Sequence, residues 1–209
     1  MIRYDVEQKS PEWYALRAGK LTASQASKLI TPTGKLSTQY KSEIGRIIAE
    51  GKGWQDPEDE GVETYWMAQG VTLELEARCW LEVEQDIVLE QCGFISSDDK
   101  MIGFSPDAFF LEEGQLIPVE IKCPKPSTHV RWLLEGGVPT EHRPQVHFGL
   151  VVTEAPYSIF MSYNPNVEPL IEVVQPDTFT LALKGYIQTY KADLATAWEQ
   201  ITGAKYEAM

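Results

Sequence analysis

Positive charge is scarce in this sequence: 18 Lys and Arg stand against 31 Asp and Glu, a formal net charge of -13. Affinity for a phosphate backbone comes mostly from Lys and Arg, so this balance argues against a generic coat for nucleic acid. Cysteine is scarcer still. Cys79, Cys92 and Cys123 form no CxxC pair and cannot all pair with one another, which speaks against a disulfide framework or a zinc site and leaves buried thiols as the expectation. Histidine is equally sparse: His129, His142 and His147 lack a zinc spacing and are expected at the surface or as supports beside a site. Long apolar runs are missing too. Stretches such as Leu150-Val151-Val152 are far too short to span a bilayer, and the opening MIRYDVEQKS lacks a basic start followed by an apolar stretch, so a soluble, intracellular protein with no membrane partner is expected. There is no internal repeat. What remains, 209 residues of which 43% are hydrophobic, with six Trp and nine Tyr to fill a core, suits one globular domain over 1–209.

The charge is unevenly spread. An acidic run, Asp56 to Glu60, sits in a stretch containing Gly and Pro, whereas Arg17, Lys20, Lys28, Lys35, Lys41 and Arg46 populate the N-terminal segment. A cleft that holds cations needs carboxylates, so an acidic chain can still grip a polyanion through a few placed cations. The plainer reading is that most of these charges are solvated surface.

Punctuation and periodicity give the elements. Ser10-Pro11 reads as a helix cap with proline at the first helical position and Gly19 as the stop, enclosing Trp13, Leu16 and Arg17; Thr22 caps a second short helix. A third begins at Ser37 with Tyr40, Ile44, Ile47 and Ile48 at helical spacing and ends at Gly51, before a loop over 51–61. From Glu63 to Glu84 a long amphipathic helix is expected, with Trp66, Met67, Leu73, Ala77, Trp80 and Leu81 on one face. Residues 87–95, 101–110 and 115–122 are short, rich in Ile, Val and Phe, and separated by turn residues, which predicts three consecutive antiparallel strands. Helices over 126–135 and 141–153, strands over 157–163 and 169–174, and a closing helix over 177–200 complete an α/β or α+β layout.

The chemistry concentrates in Val119-Glu120-Ile121-Lys122-Cys123. Residues two apart on a strand share a face, so a carboxylate and an ammonium point together while the apolar alternates pack into the core. If 101–110 and 115–122 pair as a hairpin, Asp107 approaches Glu120 across the ladder. Close carboxylates raise one another's pKa and are favourable mainly around a hard cation such as Mg2+, with Mn2+ as a substitute, which would polarise a phosphoryl oxygen. Lys122 is then suited to orient or activate an attacking water, or to stabilise the transition state. Glu7-Gln8-Lys9 and Glu50-Gly51-Lys52 share the short spacing, but neither lies in a strand pattern. An ordinary surface salt bridge is the competing reading of Glu120 and Lys122.

Further motifs carry a resemblance. Trp13-Tyr14-Ala15-Leu16-Arg17 with Gly19, Thr22-Ala23-Ser24, Gly70 to Arg78, Ser105-Pro106-Asp107, Glu120-Ile121-Lys122-Cys123-Pro124 and Gln145-Val146 stand in order. Together they resemble the phage lambda exonuclease, or YqaJ-like viral recombinase, family of the PD-(D/E)xK nuclease superfamily. The resemblance implies a restriction-endonuclease-like core, a central mixed sheet flanked by helices. It implies that Glu74 joins Asp107 and Glu120 as a metal ligand, that the carbonyl of Ile121 adds a fourth, that Lys122 is catalytic and that Gln145 positions the site. Arg17, Ser24 and Ser105 match a 5′-phosphate pocket, and Met67 falls where an apolar residue wedges apart the duplex end. Read alone, Glu74 is a solvated helix carboxylate, Arg17 a helix-end cation and Met67 a core residue. His147 replaces a frequent second glutamine and Thr128 a basic residue, which touches the grip on DNA and not the chemistry.

The resemblance also implies a function: a 5′-to-3′ exonuclease, alkaline in type, that digests one strand of linear double-stranded DNA to mononucleotides and leaves a 3′ overhang. It would work as a ring-shaped homotrimer in the cytoplasm of a bacterial host, of phage or prophage origin, with a single-strand annealing protein as recombination partner. An endonuclease of the same fold would share the metal site but cut closed circles. A non-enzymatic acidic module, a DNA mimic or adaptor, would need neither the metal nor Lys122.

Overall fold

The computed structural model describes residues 1–54 and 65–207, with side chains of the long third helix described from Thr72 onward. Strand β1 (Ile2–Tyr4) leads to helix α1 (Pro11–Arg17), where the Ser10 hydroxyl accepts from the Trp13 N–H and Pro11 opens the first turn. Gly19, at φ 72°, makes the turn out of α1 that a side chain would disfavour. Strand β2 (Leu21–Thr22) then runs into a 3-10 helix, Ala23–Lys28, whose cap position is Thr22. The Thr22 hydroxyl donates to the Gln25 side-chain oxygen Oε1, so it does not cap the helix as expected. Helix α2 (Tyr40–Gly51) starts three residues after Ser37, whose hydroxyl accepts from the Gln39 N–H in the preceding turn.

Helix α3 (Tyr65–Gln85) is followed by β3 (Phe94–Ser96), β4 (Ile102–Phe104), β5 (Ala108–Glu112) and β6 (Gln115–Lys122). The expected strand over 101–110 is therefore two. Ser105-Pro106-Asp107 breaks it, and proline's missing N–H interrupts a ladder at that point. Its halves join different sheets, one mixed sheet in the order β1-β3-β4-β2 and another in the order β5-β6-β7-β8. Of the run 87–95, only its end is strand; Glu90 makes an isolated bridge to Phe109.

Helix α4 (Pro126–Glu135) and helix α5 (Arg143–Thr153) precede β7 (Ser158–Asn164) and β8 (Val167–Val174), and α6 (Thr178–Thr202) closes the chain on an Asp177 capping box. Strand β6 pairs antiparallel with β5 and parallel with β7, the latter from Val119↔Ile159 onward. Pro118 thus sits one residue before the β7 ladder begins, where its missing N–H leaves no gap. Ile117, Val119 and Ile121 face a core of Ala77, Leu81, Leu150 and Met161, so the α3 and α5 helices pack on the sheet that carries Glu120. A second core, around Leu21, Ile47, Phe104, Phe148 and Tyr190, joins α2, α5 and α6 to the smaller sheet. A mixed sheet flanked by helices is what the family resemblance implied; the second sheet is an addition. Among the described residues no helix is long and apolar enough to cross a membrane.

Candidate active site

The β6 alternation works as the sequence implied. Val119 and Ile121 are buried in the core while Glu120 and Lys122 share the opposite face, and the Lys122 ammonium donates to Glu120 Oε1. The same oxygen accepts from Gln145 Nε2 of α5 at 2.5 Å. Asp107 precedes β5, and since Ala108 pairs with Val119 it lies opposite Glu120; its Oδ2 accepts from the Ile121 N–H at 2.6 Å. Glu74, half-buried on α3, is ion-paired at 3.3 Å with Arg78, whose guanidinium also reaches the Asp107 carbonyl at 3.5 Å. Arg78 is a link from α3 to the corner that residue spacing alone did not single out; a cation four residues from Glu74 on a helix was the available signal.

Electrostatics tie these groups together. Burial pushes the Glu120 carboxyl up to about 7; Lys122 opposes this, while Asp107 and Glu74 add to it. Burial also raises Glu74, and Asp107 adds to it, with Arg78 and Lys122 opposing. For Lys122 burial acts to lower the ammonium, but Glu120, Asp107 and Glu74 outweigh it and hold it above its ordinary value. Three acids and one lysine thus form one coupled site. Among the described residues no three His, Cys, Asp or Glu stand together as a ready cation cage. Each of the three carboxylates is engaged with a donor of its own chain.

A second cluster lies at the other end of the same corner. The Arg17 guanidinium reaches Ser24 Oγ and Thr22 Oγ1, each at 3.3 Å, and Ser105 Oγ at 3.5 Å, and it lies 4.2 Å over the Trp13 ring. The Trp13 indole N–H in turn donates to Ser105 Oγ at 2.8 Å. Burial lowers the Arg17 pKa, with Glu50 opposing and Arg46 adding to the effect. All three residues expected to meet here do so; Thr22 and Trp13 join them.

The remaining expectations divide. Met67 lies on α3, with its side chain outside the described residues, as does the whole acidic run Asp56 to Glu60. Cys92 is buried, but Cys79 is exposed and Cys123 only partly covered. No histidine is an ordinary surface group: His129 and His147 are buried, bonded to Ser162 and Thr180 respectively, and His142 is partly buried between Trp132 and Phe160.

Two mixed sheets flanked by helices and joined through this corner give a fold shared with alkaline exonucleases of known structure. The crystal structure of the alkaline exonuclease LHK-Exo from Laribacter hongkongensis superposes with a TM-score of 0.76 at 23% identity, over 93% of this chain and 97% of that one. A phage-related exonuclease from Haemophilus somnus 129PT gives 0.62 at 12% identity, over 91% and 98%. The same LHK-Exo in complex with dAMP gives 0.75 at 23% identity, over 93% and 97%. No curated protein sequence matches the chain significantly. The profile of the YqaJ-like viral recombinase domain matches residues 12–156, and the chain belongs to that family.

Proposed function

We propose that the protein is a divalent-cation-dependent 5′-to-3′ exonuclease acting on linear double-stranded DNA with a 5′-phosphorylated end, yielding mononucleotides and a 3′ overhang. One observation carries the reading. Ser105 belongs to the Arg17 cluster and Asp107 to the Glu120 cluster, so a single three-residue corner links a phosphate-sized set of donors to a set of acids. A terminal phosphate gripped by Arg17, Ser24 and Ser105 would present the adjoining phosphodiester to the acids. A guanidinium flanked by hydroxyls grips phosphate through several N–H and O–H donors.

The donor set fits a hard cation. Asp107 adds to the charge cost of Glu74, and Asp107 and Glu74 add to that of Glu120, which oxygen ligation of Mg2+ or Mn2+ would offset, and the Ile121 carbonyl belongs to the same strand as Glu120. When bound, the cation supplies Lewis acidity towards a phosphoryl oxygen. The chain's own residues do the rest. Lys122, kept protonated by its acidic neighbours, is an electrostatic partner for the charge that builds on the phosphoryl oxygens, or orients the attacking water. Gln145 fixes the Glu120 carboxylate, and Asp107 is held by the Ile121 N–H. Met67 is the proposed wedge at the duplex end. A ring-shaped homotrimer in the bacterial cytoplasm, working with a single-strand annealing protein, completes the reading. Its support is family membership, a fold that matches an exonuclease crystallised with dAMP, and an acidic surface that enclosure of DNA would offset.

The test uses Mg2+ and linear duplexes with 5′-phosphate or 5′-hydroxyl ends, labelled at either end, beside closed circles and a Lys122→Ala control. Release from the 5′ end, faster with phosphate, sparing circles and lost in the variant, is expected. Cut circles would replace this reading with an endonuclease, and inertness throughout would leave a binding module.

A further inference from the structure

His142 stands directly before α5, three residues ahead of Gln145, whose amide holds Glu120. Its imidazole stacks on Phe160 with centroids 5.9 Å apart and planes at 27°, and meets Trp132 of α4 at 5.2 Å and 89°. Phe160 is the β7 partner of Glu120 in the parallel ladder. One imidazole therefore sits where α4, α5 and β7 meet, beside the strand position of the carboxylate.

The start of α5 needs such an anchor. The first N–H groups of a helix have no partner within it; in α5 the Arg143 N–H is held by the Pro139 carbonyl at 3.2 Å and Pro144 has none, but no side chain caps the turn. The His142 carbonyl accepts from the Val146 N–H at 3.1 Å, so the residue is part of that first turn. Arg143 ties the turn to Asp177, the cap of α6, at 2.8 Å, while the His142 ring packs against Trp132 of α4 and Phe160 of β7. The ring's partners are aromatic: among the described residues its ring contacts are Phe160 and Trp132, and the buried Trp132 indole N–H has no hydrogen-bond acceptor. Packing of planes holds this cluster. Burial first, and the Lys122 charge second, push the imidazole down to about 4 against the pull of Glu141, so the ring is neutral when Glu120 is ionised.

We propose that His142 is a positioning residue: its aromatic plane, wedged between Trp132 and Phe160, anchors the first turn of α5 so that the Gln145 amide stays on Glu120 and the Glu120–Lys122 pair keeps its orientation. The inference rests on the nuclease reading for its consequence in catalysis but not for its structural content. Replacing the plane by another plane is therefore harmless, and removing it is not.

The test compares His142→Phe and His142→Ala by two readouts, with His142→Leu in place of the Ala variant if that one does not fold. The first is the side-chain amide resonance of Gln145 in the cation-free protein; the second is kcat and KM on linear duplex DNA with Mg2+. Expected is a Gln145 signal moved to the solvent-exposed position and a kcat lowered about tenfold at unchanged KM in the Ala variant, with the Phe variant within about twofold of wild type in both. A Phe variant as defective as the Ala variant would overturn the proposal, since the ring nitrogens and not the plane would then matter. An Ala variant with the Gln145 signal in place would overturn it as well. A wild type inert on every duplex end would sink the nuclease reading alone, because the resonance still decides the positioning.

Discussion

Removing the Lys122 ammonium does two separable things. On the proposed nuclease reading it takes a positive charge from the reaction, so turnover should fall by about 10^2- to 10^4-fold. It also leaves Glu120, only 8% exposed, without its cation. A buried carboxylate in that position answers by keeping its proton, so its folded pKa, already pushed up to about 7, rises further above the unfolded value. The folded state then binds the extra proton, and stability falls as pH rises between the unfolded and the folded pKa. For Lys122→Met the loss of melting temperature relative to wild type is therefore expected to be larger at pH 8 than at pH 5; an equal loss at both would show that the carboxylate finds another partner. On the proposed reading the same group governs cation affinity. A ligand must be deprotonated to bind, so Mn2+ affinity measured by calorimetry should rise from pH 6 to pH 8 with protons released, by up to about tenfold per pH unit below 7. A flat profile would exclude Glu120 from the ligand set. At this scale the sequence was informative wherever alternation or a short motif fixes direction, as for Glu120, Lys122, Arg17 and Ser105. It said little of how Arg78, Trp13 and His142 are used, because their partners, the Asp107 carbonyl, Ser105 and Phe160, lie 29, 92 and 18 residues away along the chain.

Elements were legible in proportion to the local chemistry that ends them. The expected range 126–135 agrees with α4 because Pro126 opens it and Gly136, at φ 69°, closes it. The expected strand 101–110 did not survive: Ser105-Pro106-Asp107 divides it into Ile102–Phe104 and Ala108–Glu112, and the apolar periodicity on either side carries no sign that the halves enter different sheets. That corner matters most, since it joins both clusters. Its surroundings make a prediction: a Cβ on Gly93 would meet the Val6 carbonyl oxygen at 2.1 Å, and the Gly93 carbonyl accepts from the Trp13 indole N–H at 2.9 Å. Backbone would have to shift, so Gly93→Ala should cost about 1–3 kcal/mol in urea unfolding and weaken the preference for a 5′-phosphate by disturbing Trp13, Ser105 and Arg17. An unchanged preference would detach Trp13 from the pocket. At the far end of the chain, Asp177 caps α6 through the N–H groups of Phe179 and Thr180 and also pairs with Arg143. Asp177→Ala should cost about 1–2 kcal/mol in the same measurement while leaving the phosphate preference alone.

The acidity of the whole molecule sets its last constraint. With a net charge of -13, the protein cannot stay on DNA by non-specific attraction, and what phosphate contacts it makes weaken steeply with salt. An exonuclease held only by its active site and one arginine pocket would release the strand after few cuts. Two physical routes lead to long tracts: a basic track, which the net charge of -13 argues against, or closure around the duplex, which makes escape topological and insensitive to charge. Closure requires several copies of a chain of 23.6 kDa, and the ring proposed above has three. Sedimentation equilibrium at micromolar concentration should therefore give about three times the chain mass. The tract digested per binding event, measured with excess unlabelled DNA as a trap, should then change little between low and moderate salt while the rate of initial loading falls. A monomer whose tract length shrinks in step with loading would mean that charge and not enclosure holds the substrate. The positive groups gathered around Arg17, Lys20 and Arg46 would then be the surface to map next.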